Sequence, residues 1–320
     1  MNLYFGKQRC KHCGCGYDAK VSKCPKCGEI SVNSRLNSQF NHQIHISYTK
    51  ELALFFIGLL GKSIIGIIVA FIMQMIYISN YGKETLQLYV ESTEYMVVAN
   101  SISFFATAII MALVVLKERK QFGRSFATIF VLVGIGALVA NVVGSLINNA
   151  IVLGIFNAIG QTPPSGDSKN QLEVIKMIRM NPALMFFVVV LLAPFVEELT
   201  YRVGLFNFTS RFGKPIAYIA SMLVFMSIHI DWDIIFSGIR GEELLNEIIS
   251  MPSYLLGGLV LTLAYDFGGF GAAFLAHVTI NAISYFQILG SQAGLVQVTR
   301  IPLFINANFF KTARASIQIW

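Results

Sequence analysis

The chain has 320 residues, of which 55% are hydrophobic and 13% are charged, and its mean hydropathy is +0.64. Soluble globular domains carry about 25% charged residues, so this composition excludes an ordinary soluble enzyme or binding module. It predicts an all-α fold, a polytopic transmembrane helix bundle of seven to eight spans, preceded by a small polar N-terminal segment.

Most of the formal charge of +7 lies in the first 50 residues, which hold eight basic and two acidic residues, a balance of 8 − 2 = +6. These residues contain no apolar stretch, so no cleavable signal peptide is expected. The positive-inside rule places such a basic segment in the cytoplasm. We attribute the charge to topology and do not expect nucleic-acid binding. The basic residues are Lys7, Arg9, Lys11, Lys20, Lys23, Lys26, Arg35 and Lys50.

All five cysteines lie within residues 10–27, and they include two CxxC pairs, Cys10/Cys13 and Cys24/Cys27. Two pairs at this separation are typical of a zinc ribbon with a structural, four-thiolate site. We predict that residues 1–30 fold around this metal, because so short a segment cannot build a core of its own. A reducing cytoplasm disfavours the alternative of disulfides. Cys15 is expected to be a spare thiol, and the ribbon to be a folded cap or a docking site for a protein partner or substrate.

Residues 31–50 are polar and predict a linker. Residues 51–124 are predicted to hold two transmembrane helices, over the apolar runs 52–78 and 96–116, because each has about the length that a bilayer requires. Lys62 interrupts the first run and is expected to snorkel towards the interface. The acidic connection between the runs is expected outside, and the basic turn after the second run inside.

Residues 125–290 are predicted to form the transmembrane core, with five further apolar runs. The basic residues that follow the run 182–208 are expected on the cytoplasmic side, and the acidic connection that follows the run 215–230 is expected on the outer side. A short amphipathic helix is expected over 170–180, and Asp266-Phe-Gly-Gly joins the last two runs tightly. Residues 291–320 predict either a C-terminal tail or a weak eighth span. The five runs are 126–156, 182–208, 215–230, 254–265 and 270–289.

Ionisable residues inside apolar runs are costly and usually mark a function. Glu198 and Arg202 are spaced i,i+4 and share a helix face, and Glu197 points about 100° away. Two later runs carry His229 and the i,i+4 pair His277 and Asn281. Each residue alone has a structural interpretation as an ion pair, a packed histidine or an interhelical hydrogen bond. Their co-occurrence on three runs favours one shared site with the groups that proton transfer uses.

The ordered motifs Glu197-Glu198-xxx-Arg202, Phe225-xxx-His229 and His277-xxx-Asn281 resemble those of the CPBP family. That family comprises the type II CAAX prenyl endopeptidases and their bacterial, Abi-like relatives. The resemblance covers roughly residues 125–290 and does not reach the ribbon. It implies an intramembrane endopeptidase, a protease that hydrolyses a peptide bond of a membrane-associated peptide or protein in a site open to the cytosol.

The resemblance also implies roles for the matching residues. Glu197 would activate the attacking water, and His229 would help to orient or deprotonate it. His277 and Asn281 would donate hydrogen bonds to the tetrahedral oxyanion. Glu198 and Arg202 would hold the geometry and charge of the site.

Two alternatives stay open from the sequence. One Glu and two His could ligate a catalytic zinc, as in a metalloprotease, although the absence of an HExxH motif favours a metal-free glutamate mechanism. A non-enzymatic scaffold, bacteriocin-immunity protein or carrier of the same family is the other alternative, but a scaffold has no need for two buried histidines opposite two glutamates. The ribbon resembles those of bacterial membrane proteins and favours the plasma membrane. Nothing in the sequence encodes a prenyl pocket, so CAAX specificity is not expected.

Overall fold

The computed structural model of the chain is dominated by long helices. A short two-stranded segment precedes them, with β1 (Lys7–Arg9) antiparallel to β2 (Gly16–Asp18) and Gln8 opposite Tyr17. Most of the predicted linker, Cys10 and the whole predicted eighth span lie outside the described residues. The structure describes residues 7–9, 13, 15–18, 24–27, 44, 46–126, 128–164, 166–238 and 240–292.

Ten helices follow the N-terminal segment in the part of the chain that the structure describes. Several continue through a π-helical turn and are counted here as one helix. They are α1 (Tyr48–Tyr81), α2 (Leu86–Glu91), α3 (Thr93–Val114), α4 (Arg119–Arg124), α5 (Thr128–Ala158), α6 (Lys169–Met180), α7 (Pro182–Phe212), α8 (Lys214–Ser227), α9 (Trp232–Phe236) and α10 (Glu242–Gln292).

The prediction of an all-α membrane bundle is confirmed. Five helices, α1, α3, α5, α7 and α10, are long and apolar enough to cross a membrane, and α8 is a shorter apolar helix. Helix α10 consists of two helices joined at Gly269, which coincide with the last two predicted runs. The described part of each predicted run therefore lies largely in a helix. The chain is a multi-pass membrane protein.

A glycine makes the joint within α10 possible. Gly269 has φ 75° and ψ −169°, a backbone conformation that a residue with a Cβ atom rarely adopts. The chain changes direction there, and both halves of α10 contact α7. Gly258 in the first half and His277 in the second both reach side chains of α7. The glycine thus lets one long segment contribute to the same site twice.

Ion pairs bring the predicted inner connections to one end of the bundle. Lys50 binds Glu118 at 2.8 Å, and Arg211 binds Glu51. These contacts link the start of α1, the turn after α3 and the end of α7. At the other end, Lys169 lies 3.9 Å from Asp231. The pairs agree with the predicted alternation of the connections, and the assignment of the first end to the cytoplasm stays a prediction from charge.

Helix α1 packs on α7 too closely for a side chain to separate them. A Cβ atom added to Gly204 would lie 2.9 Å from the backbone nitrogen of Phe55 and 3.1 Å from the carbonyl oxygen of Glu51. Both neighbours are backbone atoms, so they cannot move aside without shifting the helix. Small residues are the usual means of such close approach between membrane helices.

Gly204→Ala is expected to lower the free energy of unfolding by about 1–3 kcal/mol, because the added methyl group overpacks the contact between α1 and α7. Gly136→Ala on α5 is the matched control, since nothing lies within 4 Å of its added Cβ atom. The control should be neutral or slightly stabilising. Thermal unfolding of both variants in detergent micelles measures the difference. Equal midpoints for the two variants would contradict the close contact.

Candidate active site

The two adjacent glutamates lie on a single α-helical turn between two π-helical segments of α7. Residues Phe186–Leu192 and Leu199–Phe206 form the π-helical segments, and Ala193–Glu198 is the α-helical turn between them. A π-helical turn inserts extra residues into the ladder of hydrogen bonds and is frequent at functional sites. Glu197 is 3% exposed and Glu198 is fully buried, so both carboxylates lie in the interior of the bundle.

Glu198 stands at the centre of an ionic cluster. Nδ1 of His277 lies 2.7 Å from Oε1 of Glu198, and Nε of Arg202 lies 3.2 Å from Oε2. The contact with Arg202 is an ion pair without the alignment of a hydrogen bond. All three side chains are fully buried. A buried charge is tolerated only with such partners, so each member of this cluster stabilises the others.

Arg202 is also held by α10 and α8. Its Nη2 donates to the carbonyl oxygen of Gly258 at 3.3 Å. Its guanidinium carbon lies 4.7 Å from the ring centroid of Phe225, a cation–π contact. The ring of Phe225 therefore forms one wall of the ionic cluster.

Glu197 differs from its neighbour in having few partners. Neither of its carboxylate oxygens makes a hydrogen bond among the described residues, and Nε2 of His277 lies 3.8 Å from Oε2. The carboxylate lines a small cavity together with Lys62, Thr200 and Tyr201. The cavity has room for about one water molecule. A buried carboxylate beside such a cavity is equipped to bind and polarise water.

His229 lies just beyond the end of α8 and faces the first half of α10. Its Nδ1 lies 2.6 Å from the carbonyl oxygen of Phe225, which fixes Nδ1 as the protonated nitrogen and Nε2 as the one with the lone pair. The imidazole stacks on the ring of Tyr254 with centroids 4.7 Å apart. The Phe225 ring contacts both His229 and His277, at 4.6 and 6.1 Å. The Phe225 ring thus lies between His229 and the ionic cluster and contacts both.

Asn281 lies one helical turn beyond His277 and is fully buried. Its Nδ2 donates to the carbonyl oxygen of Val189 at 2.9 Å. Val189 belongs to the first π-helical segment of α7, where the regular hydrogen bonds of the helix are interrupted. In this structure Asn281 therefore stabilises the irregular backbone ahead of the glutamates.

The structure joins Glu197, Glu198, Arg202 and His277 directly and places His229 behind Phe225. The expectation for Lys62 was wrong: its side chain is 6% exposed and points into the cavity beside Glu197 instead of snorkelling. The packing of α1 on α3 and α7 holds it there. The one available signal was that a charged residue inside an apolar run is costly, an argument that applies to Lys62 as well as to the glutamates.

Three cysteines converge in the N-terminal segment. The sulfur atom of Cys24 lies 3.6 Å from that of Cys13 and 3.3 Å from that of Cys15. Among the described residues this is the one group of three or more Cys, His, Asp or Glu whose ligand atoms come close enough to hold a metal ion. Cys15, expected to be a spare thiol, belongs to the group. Cys27 is exposed and lies outside it, and Cys10 lies outside the described residues.

Backbone contacts favour the thiolate form of Cys24. Desolvation acts to raise the pKa of Cys24, but hydrogen bonds from the backbone of Cys27 and Lys26, with those from the neighbouring thiols, outweigh it and lower the pKa to about 6. Such backbone contacts are expected where a CxxC turn closes around its first sulfur. A thiolate is the form that binds metals, so the segment can hold a metal ion.

Comparisons with known proteins agree with the site. Residues 179–283, about a third of the chain, match the family model described as type II CAAX prenyl endopeptidase Rce1-like. The UPF0177 protein YvdC of Lactococcus lactis subsp. lactis (strain IL1403) is 35% identical over 81 residues, which cover 25% of this chain and 30% of that relative. The chain thus matches less than a third of the relative's length. No solved structure matches the chain.

The matched region contains every residue of the ionic cluster as well as His229 and Asn281. It also contains both π-helical segments of α7 and the joint at Gly269. It contains neither the N-terminal cysteines nor α1. Residues 179–283 of this multi-pass membrane protein therefore form a region similar to the Rce1-like, type II CAAX prenyl endopeptidase family.

Proposed function

We propose that this protein is an intramembrane endopeptidase that hydrolyses a peptide bond of a membrane-associated peptide or protein. The observation that carries the proposal is the Glu197 carboxylate, which is 3% exposed, makes no hydrogen bond among the described residues and lines a cavity for about one water molecule. An isolated buried carboxylate is expensive, so a site that keeps one has a use for it. Activation of water is that use.

In the proposed reaction Glu197 accepts a proton as the water oxygen attacks the carbonyl carbon of the scissile bond. The resulting tetrahedral oxyanion then collapses, the carbon–nitrogen bond breaks, and the proton held by Glu197 goes to the leaving amine nitrogen. One water molecule is consumed, and a new carboxyl terminus and a new amino terminus are formed. A positioned general base of this kind contributes about 10²- to 10⁴-fold to a rate.

The remaining residues receive supporting roles. His277 donates through Nδ1 to Glu198, and its Nε2 lies 3.8 Å from Glu197, beside the position of the reacting oxygen. His229 presents the lone pair of Nε2 and orients the water. Asn281 is the proposed hydrogen-bond donor to the oxyanion, and in this structure its Nδ2 donates to the carbonyl oxygen of Val189. Glu198 and Arg202 fix the imidazole of His277 in place.

We favour a metal-free glutamate mechanism over a metalloprotease. Nδ1 of His277 is directed at Glu198 and Nδ1 of His229 at a backbone carbonyl. The ligand atoms of Glu197 and the two histidines do not converge within the distances that one ion needs, in the part of the chain that the structure describes. This geometry supports a mechanism in which the Glu197 carboxylate is the general base and the histidines orient the attacking water.

We further propose that the N-terminal cysteines hold a structural zinc ion in the cytoplasm, at the plasma membrane of a bacterium. Cys13, Cys15 and Cys24 supply three thiolates, and Cys10 or Cys27 supplies the fourth. Such a ribbon, built at the cytoplasmic end of α1, is placed to dock a protein partner or a substrate before cleavage. A closed four-thiolate site has no open position for catalysis.

About one zinc ion per chain is expected in the purified protein, and none in the variant with Cys13, Cys15 and Cys24 all changed to Ser, because these three sulfur atoms converge. Elemental analysis by mass spectrometry measures the content. His229→Ala is the control and should retain the zinc. Loss of the metal from His229→Ala, with retention in the cysteine variant, would place the metal at the membrane site and reverse the choice of mechanism.

The proposed activity is tested with the full chain in proteoliposomes that contain membrane peptides and small membrane proteins of the native host. New peptide termini are identified by mass spectrometry, with Glu197→Gln in parallel. Termini that appear with the wild type and not with Glu197→Gln support the endopeptidase. A phenotype that survives Glu197→Gln, without new termini in either sample, would favour the non-enzymatic scaffold, immunity protein or carrier.

A further inference from the structure

We propose that Lys62 is a positioning residue of the membrane site, the counter-ion that keeps Glu197 ionised so that the carboxylate can accept a proton from water. Lys62 belongs to α1, outside the Rce1-like region at residues 179–283. The inference rests on the proposed function and adds to it a residue that this region itself does not supply.

The position of Lys62 carries the inference. Its side chain is 6% exposed and lines, with Glu197, the cavity that has room for about one water molecule. An ammonium and a carboxylate that line the same small cavity attract each other. The Nζ atom lies 3.9 Å from the ring centroid of Phe104 on α3, a cation–π contact that holds the amine in the interior. A lysine inside an apolar span would otherwise extend its amine towards the interface.

The backbone of α1 just before Lys62 is irregular and approaches α7 closely, which brings the Lys62 side chain to the cavity. A π-helical turn, Ile57–Gly61, immediately precedes Lys62. Within it, a Cβ atom added to Gly58 would lie 1.8 Å from Oγ1 of Thr200 on α7 and 2.7 Å from Cβ of Thr200. The absence of a side chain at residue 58 therefore lets α1 approach the turn after Glu198. Thr200 lines the same cavity as Lys62.

The charges of the site balance only when Lys62 is included. Glu197 and Glu198 contribute −2, and Arg202 contributes +1, which leaves −1 on this side of the bundle when the histidines are counted as neutral. Lys62 brings the sum to zero. Nε of Arg202 lies 3.2 Å from Oε2 of Glu198, so the positive charge of Arg202 stabilises Glu198 more than Glu197. In a low-dielectric interior an unbalanced charge takes up a proton, and Glu197 would then be useless as a base.

The test measures the charge of Glu197 separately from activity. Dicyclohexylcarbodiimide modifies protonated carboxyl groups in apolar surroundings, and mass spectrometry of the full-length protein after digestion reads the modification at each glutamate. Lys62→Met is expected to increase the labelling of Glu197 at neutral pH and to leave that of Glu198 unchanged. Lys62→Arg, which keeps the charge, should label as the wild type does. A purely structural role of Lys62 would not produce this selectivity.

Cleavage supplies the second readout. Lys62→Met should lower kcat by about ten- to a hundredfold with little change in KM, and Lys62→Arg should restore most of the rate. Lys50→Met is the matched control, because Lys50 lies on the same helix but pairs with Glu118 at the end of the bundle. It should keep the wild-type rate and labelling. If Lys62→Met does not accumulate in the membrane, Lys62→Gln removes the charge with a polar side chain and decides the same question.

The outcomes separate this inference from the proposed function. Wild-type labelling and wild-type kcat in the Lys62→Met variant, beside an inactive Glu197→Gln, would overturn the role of Lys62 and leave the peptidase standing. Full activity of Glu197→Gln would overturn the peptidase mechanism instead. In that case the labelling of Glu197 still decides whether Lys62 is its counter-ion.

Discussion

Glu197→Gln is expected to reduce the rate of peptide-bond cleavage by about 10²- to 10⁴-fold, the usual contribution of a general base. The amide has nearly the same shape as the carboxylate but cannot accept the proton of the attacking water. Because neither carboxylate oxygen makes a hydrogen bond among the described residues, the substitution breaks no such bond in the structure. The variant should insert into the membrane and unfold at a temperature no lower than the wild type. Single-turnover cleavage by purified protein in liposomes measures the loss.

Glu91→Gln makes the same chemical change at an exposed glutamate and is the matched control, with wild-type cleavage expected. A loss of activity that accompanies a loss of folded protein in Glu197→Gln would assign the residue a structural role. Cleavage by Glu197→Gln within a few-fold of the wild-type rate would eliminate this residue as the base.

Arg202→Met is expected to cause the largest loss of stability, about 3–5 kcal/mol, because it leaves the fully buried Glu198 without its cationic neighbour. The same substitution also removes the hydrogen bond to the carbonyl oxygen of Gly258 and the contact with the Phe225 ring. Denaturation in mixed detergent micelles measures the change. The double variant Arg202→Met with Glu198→Gln should recover part of it, since no uncompensated charge is then buried.

Arg211→Met tests the same residue type in a different setting. Arg211 is partly exposed at the end of α7 while its partner Glu51 is buried, so the loss of Arg211 should cost about 1–3 kcal/mol, less than the loss of Arg202. If Arg202→Met and Arg211→Met proved equally mild, the buried ionic cluster would not be what stabilises α7 against α10. A double variant less stable than Arg202→Met would contradict the pairing with Glu198.

The number and order of the apolar runs could be read from the sequence because a span leaves a simple signal, about 20 apolar residues in succession. The i,i+4 spacings also placed Glu198 with Arg202 on one face, as the structure shows. The joint in α10 was expected from Asp266-Phe-Gly-Gly, and Gly269 forms it. These features are local, and local geometry follows from local sequence.

The parts of the site that could not be predicted from the sequence depend on contacts between distant segments. Lys62 lies 135 positions before Glu197, and only the close packing of α1 on α7 brings them to one cavity. The π-helical segments on either side of the glutamates leave no mark in hydrophobic periodicity. The choice of Cys15 over Cys27 in the cysteine group depends on how two turns fold onto each other, which spacing alone does not determine.

The most direct test of the account is cleavage in water enriched in ¹⁸O, with the wild type and Glu197→Gln in matched proteoliposomes. The account predicts that each new carboxyl terminus formed by the wild type carries one ¹⁸O atom from the attacking water, and that Glu197→Gln yields almost none. Equal labelling by both proteins would show that Glu197 does not activate the water. New termini without ¹⁸O would contradict hydrolysis itself.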